Sequence, residues 1–265
     1  MSYETILTED IDGVRVITMN RPERLNAWTP FMGGEIRQAV DGANADDDLC
    51  GIVLTGAGRG FCAGADIEAV FKAQADGEST RSGPSMGDWV SLVRQSKPMV
   101  AAINGPAIGV GLTQVLPMDY LVAAAGAKLS VRFVKMGLVP ELASSNFLFA
   151  RMGWGQASEL MLTGKTVMAQ EALDTGLVDK VVADEDCVSA ACVVAREMGN
   201  NPLAAVRHIK QLITDNANDA NLADVQKREL KALHECYASA EHREAIDAFM
   251  NKREPDFAKA RASEQ

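Results

Sequence analysis

The stretch Gly51-Ile52-Val53-Leu54-Thr55-Gly56-Ala57-Gly58-Arg59-Gly60-Phe61-Cys62-Ala63-Gly64-Ala65-Asp66-Ile67 opens on a short apolar run, passes through a turn of small residues and continues into a helix-compatible segment. A short apolar run bounded by glycine reads as a buried strand. Small residues after it let backbone N–H groups approach a ligand closely. A strand-to-helix turn also points free N–H groups outward, which suits an anion. A tight turn with no ligand explains the segment equally well. Asn104-Gly105-Pro106-Ala107-Ile108-Gly109-Val110-Gly111-Leu112 repeats the arrangement after the strand-like run Met99–Ile103, with helix-compatible Leu112 to Leu116 next. There a helix dipole would add positive potential, although close strand–helix packing also asks for small residues. Two such turns are the raw material of an oxyanion hole, which needs convergent donors where negative charge develops and gains ~3 kcal/mol per donor in the transition state.

Working outward, Val14–Met19 and Leu121–Ala125 read as further strands. Ala27 to Asn44 reads as a helix with Thr29 as its N-cap and Pro30 at its first position. Strands alternating with helical patterns predict an α/β core with parallel pairing. No repeat is visible in the residues themselves. The polar, turn-rich segment 76–88 is the expected mobile loop. From Asn201-Pro202 to about Asn251 the pattern is nearly all helical, which divides the chain into an α/β core over 1–200 and a helical region over 201–265.

Composition narrows the function. The 265 residues are 47% hydrophobic, enough for a substantial core, and the longest apolar runs stop well short of a membrane span. The N-terminus, Met1-Ser2-Tyr3-Glu4-Thr5, has neither a basic nor an apolar leader region, and the C-terminus matches no receptor-read address. A net charge of −10 disfavours a nucleic-acid surface, while leaving room for local binding of a polyanionic cofactor by backbone N–H groups. Five irregularly spaced cysteines point to a reducing interior and a cytoplasmic protein. Cys62 could be read as a nucleophile, but nothing nearby in sequence would lower its pKa, so it is taken as a packing residue. The histidines, His208, His234 and His242, all lie far along the chain from both glycine-rich turns, which argues against a nucleophilic triad. No cluster has metal-ligand spacing. Gly105 to Gly111 lacks Rossmann spacing, so no dinucleotide is expected.

Several segments together resemble the enoyl-CoA hydratase/isomerase (crotonase) family. They are Asn20-Arg21-Pro22 with Leu25-Asn26-Ala27, Phe61 to Ile67, Ala101 to Gly111, Asp119, Met136-Gly137-Leu138-Val139-Pro140, Ala172 to Val178, and Phe249-Met250-Asn251-Lys252-Arg253. They run in order through nearly the whole chain. The resemblance implies a spiral of β-β-α units with C-terminal helices that build a homotrimer, often a dimer of trimers. It also implies an acyl-CoA substrate and no cofactor beyond that CoA. The family's two oxyanion donors fall on the N–H groups of Ala65 and Val110; glycine is usual at the second position, but only the N–H is needed. For CoA, the resemblance implies backbone contacts from Ala63 through Asp66 to Ile67 near the adenine, Arg24 near a phosphate, and Phe249 with Lys252 reaching a neighbouring subunit's ligand. A solvated surface charge remains the plain alternative for each basic residue.

The family's hydratases use two glutamates, and the matching positions here hold Thr113 and Phe133, neither of which can act as a carboxylate base. Glu141 instead matches the single glutamate of peroxisomal-type Δ3,Δ2-enoyl-CoA isomerases. It is the lone acid between Val134 and Ala150, where apolar neighbours would raise its pKa toward the range of a general base. A first-turn glutamate favouring a helix dipole is the competing reading. The expected reaction is a 3-enoyl to 2-enoyl shift through a dienolate. Two rivals stay open. One is attack by Glu141 as a nucleophile, as in acyl-CoA hydrolysis or dehalogenation, against which Phe133 weighs because a tryptophan normally helps bind the water there. The other is a non-catalytic CoA-binding trimer.

Overall fold

A computed structural model describes residues 3–68 and 86–263. In chain order the strands are β1 (Ile6–Ile11), β2 (Val14–Met19), β3 (Gly51–Gly56), β4 (Met99–Ile103), β5 (Ala107–Ile108), β6 (Tyr120–Ala124), β7 (Lys128–Ser130), β8 (Val167–Met168) and β9 (Lys180–Val182). The helices are α1 (Pro30–Ala45), α2 (Trp89–Gln95), α3 (Val110–Thr113), α4 (Ser144–Thr163), α5 (Ala169–Asp174), α6 (Cys187–Gly199), α7 (Leu203–Asn216), α8 (Leu222–Ala238), α9 (Ala240–Met250) and α10 (Phe257–Ala262). None of the described helices is long and apolar enough to cross a membrane.

A six-stranded sheet has the order β1-β2-β3-β4-β6-β9, antiparallel at β1–β2 and parallel elsewhere. Its strands β3, β4 and β6 are apolar apart from Thr55 and Tyr120 because both faces are covered. Ile52, Leu54, Met99, Ala101, Ile103, Leu121 and Ala123 join the core that includes Met32, Ile36 and Val40 of α1. The alternate residues Val53, Val100, Ala102, Val122 and Ala124 pack with Cys187, Ala191, Cys192 and Ala195 of α6. The smaller sheet has the order β5-β7-β8. Its first strand is extended by a parallel bridge between Cys62 and Ala107. Successive units thus place one segment in each layer: β3 then Cys62, β4 then β5, β6 then β7. Each advances one position along both sheets, which is the β-β-α spiral that the resemblance implies.

Local chemistry sets the boundaries. The Thr29 side chain accepts from the Met32 N–H at 3.1 Å and Pro30 occupies the first turn, so α1 starts there rather than at Ala27. The residues ahead of it are held out of the helix, since Leu25 and Asn26 take left-handed conformations and Trp28 pairs with Ala65. α3 starts at Val110, two residues before the expected Leu112. Of the expected loop 76–88, residues 76–85 lie outside the described residues; Asp88 caps α2 by accepting from Ser91 N–H at 3.0 Å.

The C-terminal helices are fastened to the core through buried charge. Lys210 of α7 is 4% exposed and donates to the Asp119 carboxylate at 2.7 Å and to the carbonyls of Val93 and Ser96 at 3.1 and 2.9 Å. Arg94 of α2 donates to the other oxygen of Asp119 and to Pro117 O, both at 3.0 Å, and Asp119 also accepts from the Met99 N–H at 2.8 Å. Burial lowers the Lys210 pKa, and the Asp119 charge opposes that shift. Glu241 of α9 accepts from the N–H groups of Leu203 and Ala204 at 2.9 and 3.0 Å, satisfying two free donors at the start of α7.

Candidate active site

The two glycine-rich turns meet. Cys62 N–H donates to Pro106 O and Ile108 N–H donates to Cys62 O, both at 2.9 Å. A Cβ on Gly64 would stand 3.2 Å from Ile108 O, and one on Gly111 would stand 2.2 Å from Cys62 O. Only glycine at 111 allows the first turn of α3 to lie this close to the Phe61–Ala65 segment. Asn26, fully buried, donates to Ala57 O and Gly60 O at 2.9 and 2.8 Å, and Asn104 donates to Gly56 O and Gly58 O at 2.8 and 3.0 Å. These amides do for an irregular backbone what a ladder does for a strand.

Ala65 is held in place by the bonds on either side of it. Trp28 N–H donates to Gly64 O and Asp66 N–H donates to Trp28 O, both at 2.8 Å. Gly109, before Val110, has φ 56 and ψ −124, a backbone region open essentially to glycine alone. Its N–H donates to Ser130 O at 2.8 Å, while its carbonyl accepts from the N–H groups of Leu112 and Thr113 at 2.9 and 3.0 Å. The peptide between Gly109 and Val110 is therefore fixed and polarised, with its own N–H at the start of α3. Among the described residues, neither the Ala65 N–H nor the Val110 N–H donates to a protein acceptor. Val110 itself is almost buried, at 9% exposure.

Glu141 is tied to the same helix turn through its carboxylate. Its Oε1 accepts from Thr113 Oγ1 at 2.7 Å. Thr113 is fully buried and lies three residues after Val110 on α3. Although Glu141 as a residue is exposed, protein atoms crowd its carboxyl end. That burial raises its pKa, and the Thr113 hydrogen bond partly opposes the rise by favouring the charged form. The next two residues, Leu142 and Ala143, have φ values of 56 and 54. Two successive left-handed residues without glycine cost about 1–2 kcal/mol each. The Ser144 hydroxyl anchors this strained turn by donating to Glu141 O at 2.6 Å, so Ser144 serves the start of α4 and the placement of Glu141 at once. The Phe133 ring lies 3.9 Å from where a Cβ on Gly109 would stand. An apolar ring thus flanks the α3 turn where the resemblance aligns a second hydratase glutamate.

The remaining expected residues are placed less centrally. The Asp66 carboxylate, 8% exposed, is engaged by Arg21 at 2.9 Å and so helps fold the turn. Arg21 also donates to Ala27 O at 2.6 Å, a structural anchor that nothing in the local sequence pattern distinguishes from Arg24. Arg24 is exposed and stands 3.8 Å from Glu68, while Ile67 is 65% exposed beside it in sequence. Phe249, 82% exposed, lies one residue before the end of α9, which packs chiefly on α8 and α10, and Lys252 follows it on the surface. Among the described residues, no hydrogen bond or ion pair joins these two to the turns. Cys62 is buried with its thiol pushed up to about 11, a packing residue and no nucleophile at neutral pH. His208 pairs with Glu235 at 3.3 Å, and His234 and His242 lie against Tyr237. Among the described residues no group of His, Cys, Asp and Glu side chains is arranged to hold a metal.

A family model described as enoyl-CoA hydratase/isomerase matches residues 9–260. The chain is 34% identical to the 1,2-epoxyphenylacetyl-CoA isomerase of Escherichia coli K12, over 96% of this chain and 98% of that protein. Among solved structures it superposes on an enoyl-CoA hydratase of Polaromonas sp. JS666 with a TM-score of 0.86 at 27% identity, covering 95% of this chain and 98% of that one. An enoyl-CoA hydratase of Bacillus anthracis gives a TM-score of 0.83 at 28% identity, covering 96% and 99%.

Proposed function

This chain belongs to the enoyl-CoA hydratase/isomerase family, and on that footing we propose that it shifts the double bond of a 3-enoyl-CoA to the 2-enoyl position. The observation that carries the reading is the placement of Glu141, hydrogen-bonded at 2.7 Å to the helix turn that begins with the Val110 N–H and crowded enough by protein to raise its pKa. In the proposed mechanism the thioester oxygen sits between the N–H groups of Ala65 and Val110. Glu141 removes a proton from C2, the hole holds the dienolate, and the same carboxyl returns a proton at C4. One base is enough because both carbons lie near one face of the substrate. The chemistry needs no cofactor beyond the CoA of the substrate. Hydration would require a second carboxylate to handle water, and the aligned positions hold Thr113 and Phe133.

Backbone from Ala63 to Ile67 and the side chain of Arg24 are the proposed CoA contacts within the chain. Phe249 and Lys252 are proposed to act on a neighbouring subunit's ligand in a homotrimer or dimer of trimers. The exposed apolar side chains Ile209, Ile213, Ile246, Phe249 and Met250 support such self-association. Five free thiols suit a reducing cytoplasm.

Parallel turnover assays on 3-enoyl-CoA and 2-enoyl-CoA test the proposal. The 3-enoyl substrate is expected to convert to the conjugated product. The 2-enoyl substrate is expected to give little or no 3-hydroxyacyl-CoA. Efficient hydration of the 2-enoyl compound with no shift of the 3-enoyl one would overturn the reading.

A further inference from the structure

We infer that Thr113 is a positioning residue: its hydroxyl ties one carboxylate oxygen of Glu141 to the oxyanion turn and leaves the other oxygen as the atom that carries the proton. The inference rests on the reading of Glu141 as the acid–base group and goes beyond it by assigning the device that holds this group in register with the hole.

Three observations converge on the hydroxyl. It lies 2.7 Å from Glu141 Oε1, a short distance suited to a bond onto a charged acceptor. It also lies 3.4 Å from Gly109 O, the carbonyl of the peptide group whose N–H belongs to Val110. Thr113 is fully buried on α3, so water cannot readily replace its hydrogen bond. A threonine hydroxyl has one proton, and the shorter distance assigns it to Glu141 when the carboxylate is charged. The base is thereby tied to the residue whose own backbone N–H donates to Gly109 O at 3.0 Å, within a single helical turn of the Gly109–Val110 peptide. Misplacing a reacting group by a small distance is costly even when binding survives.

The roles of the two carboxylate oxygens follow. Oε1 is engaged by Thr113, which leaves Oε2 as the oxygen to take the proton. Once Oε2 takes the C2 proton, Oε1 still accepts from Thr113 as a carbonyl oxygen, and the carboxyl keeps its orientation until the proton is delivered to C4. No proton is lost from Thr113 in either step. Burial raises the pKa of this carboxyl, and the Thr113 hydrogen bond opposes the rise. Removing the hydroxyl therefore raises the Glu141 pKa further, because the bond that favours its charged form is gone.

The test compares full-length wild type with Thr113→Val, Thr113→Ser and Glu141→Gln on 3-hexenoyl-CoA across pH. Thr113→Val is expected to lower kcat by roughly 10- to 100-fold with KM changed by no more than about 3-fold. The acid limb of its pH profile is expected to move to higher pH, since activity requires the unprotonated carboxylate. Thr113→Ser, which keeps the hydroxyl, is expected to restore both kcat and the limb. If the valine variant does not fold, Thr113→Ala is expected to show the same loss. Wild-type kcat and an unmoved acid limb in Thr113→Val or Thr113→Ala, with Glu141→Gln inactive, would overturn the positioning role alone. A Glu141→Gln variant as active as wild type would overturn the acid–base reading and this inference with it.

Discussion

Glu141→Gln is expected to lower turnover of a 3-enoyl-CoA by roughly 10²–10⁴-fold, the usual contribution of a positioned general base, while acyl-CoA binding stays close to wild type. The glutamine can still accept from Thr113, so the turn that holds residue 141 has no reason to collapse. Ala65 and Val110 would present their N–H groups unchanged. The variant removes only the ability to take and return a proton, so the loss should fall on kcat and leave ligand titrations almost unaffected. The wild-type acid limb should sit above the ordinary glutamate value, because burial raises the Glu141 pKa. Near-wild-type turnover in the variant, measured alongside binding of a saturated acyl-CoA, would contradict the assignment.

Asp119→Ala is expected to destabilise the fold by about 3–5 kcal/mol, the usual consequence of removing one partner from a buried ion pair. Its carboxylate is shared by Arg94 at 3.0 Å and Lys210 at 2.7 Å, and those residues are only 9% and 4% exposed. Taking it away leaves two buried cations without the carboxylate they share and the Met99 N–H without its acceptor. The sign of the pH dependence is fixed by Lys210. Burial already holds its pKa below the ordinary lysine value, and without Asp119 it falls further. The unfolded chain then binds more protons than the folded one, so the deficit should shrink as pH rises toward the ordinary lysine range. Denaturant unfolding at neutral and alkaline pH checks both points. A loss of stability below about 1 kcal/mol would mean that the network contributes little to docking α7.

The central strands were legible because a parallel sheet covered on both faces leaves short apolar runs, as at Ile52–Leu54 within β3 and at Met99–Ile103. β1 was not, because only Ile6 of its six residues is buried and an edge strand carries little apolar pattern. A local signal was present, since Asp12-Gly13 adopts the positive φ values of 48 and 79 suited to a tight hairpin. The short strands of the second sheet, such as Ala107–Ile108, are too brief for any period to show. The two glycine-rich turns announced themselves by composition, but their meeting depends on Cys62 pairing with Ala107, a contact between residues 45 positions apart in sequence. Glu141 stood out as the lone acid of its stretch, whereas its bond to Thr113 spans 28 positions and no local pattern encodes it. Asp119 was visible only through resemblance. Its partners Arg94 and Lys210 come from distant helices, and charge spacing along the chain does not connect them.

Isotope tracing through the double-bond shift tests the central claim most directly. A 3-enoyl-CoA carrying deuterium at C2 would be turned over by the wild-type protein and the product examined by mass spectrometry and NMR. A single carboxyl that takes the proton from C2 and returns it at C4 predicts 2-enoyl-CoA with part of the deuterium moved from C2 to C4. A 3-hydroxyacyl-CoA as the main product, or recovery of the substrate with its double bond and label in place, would contradict it.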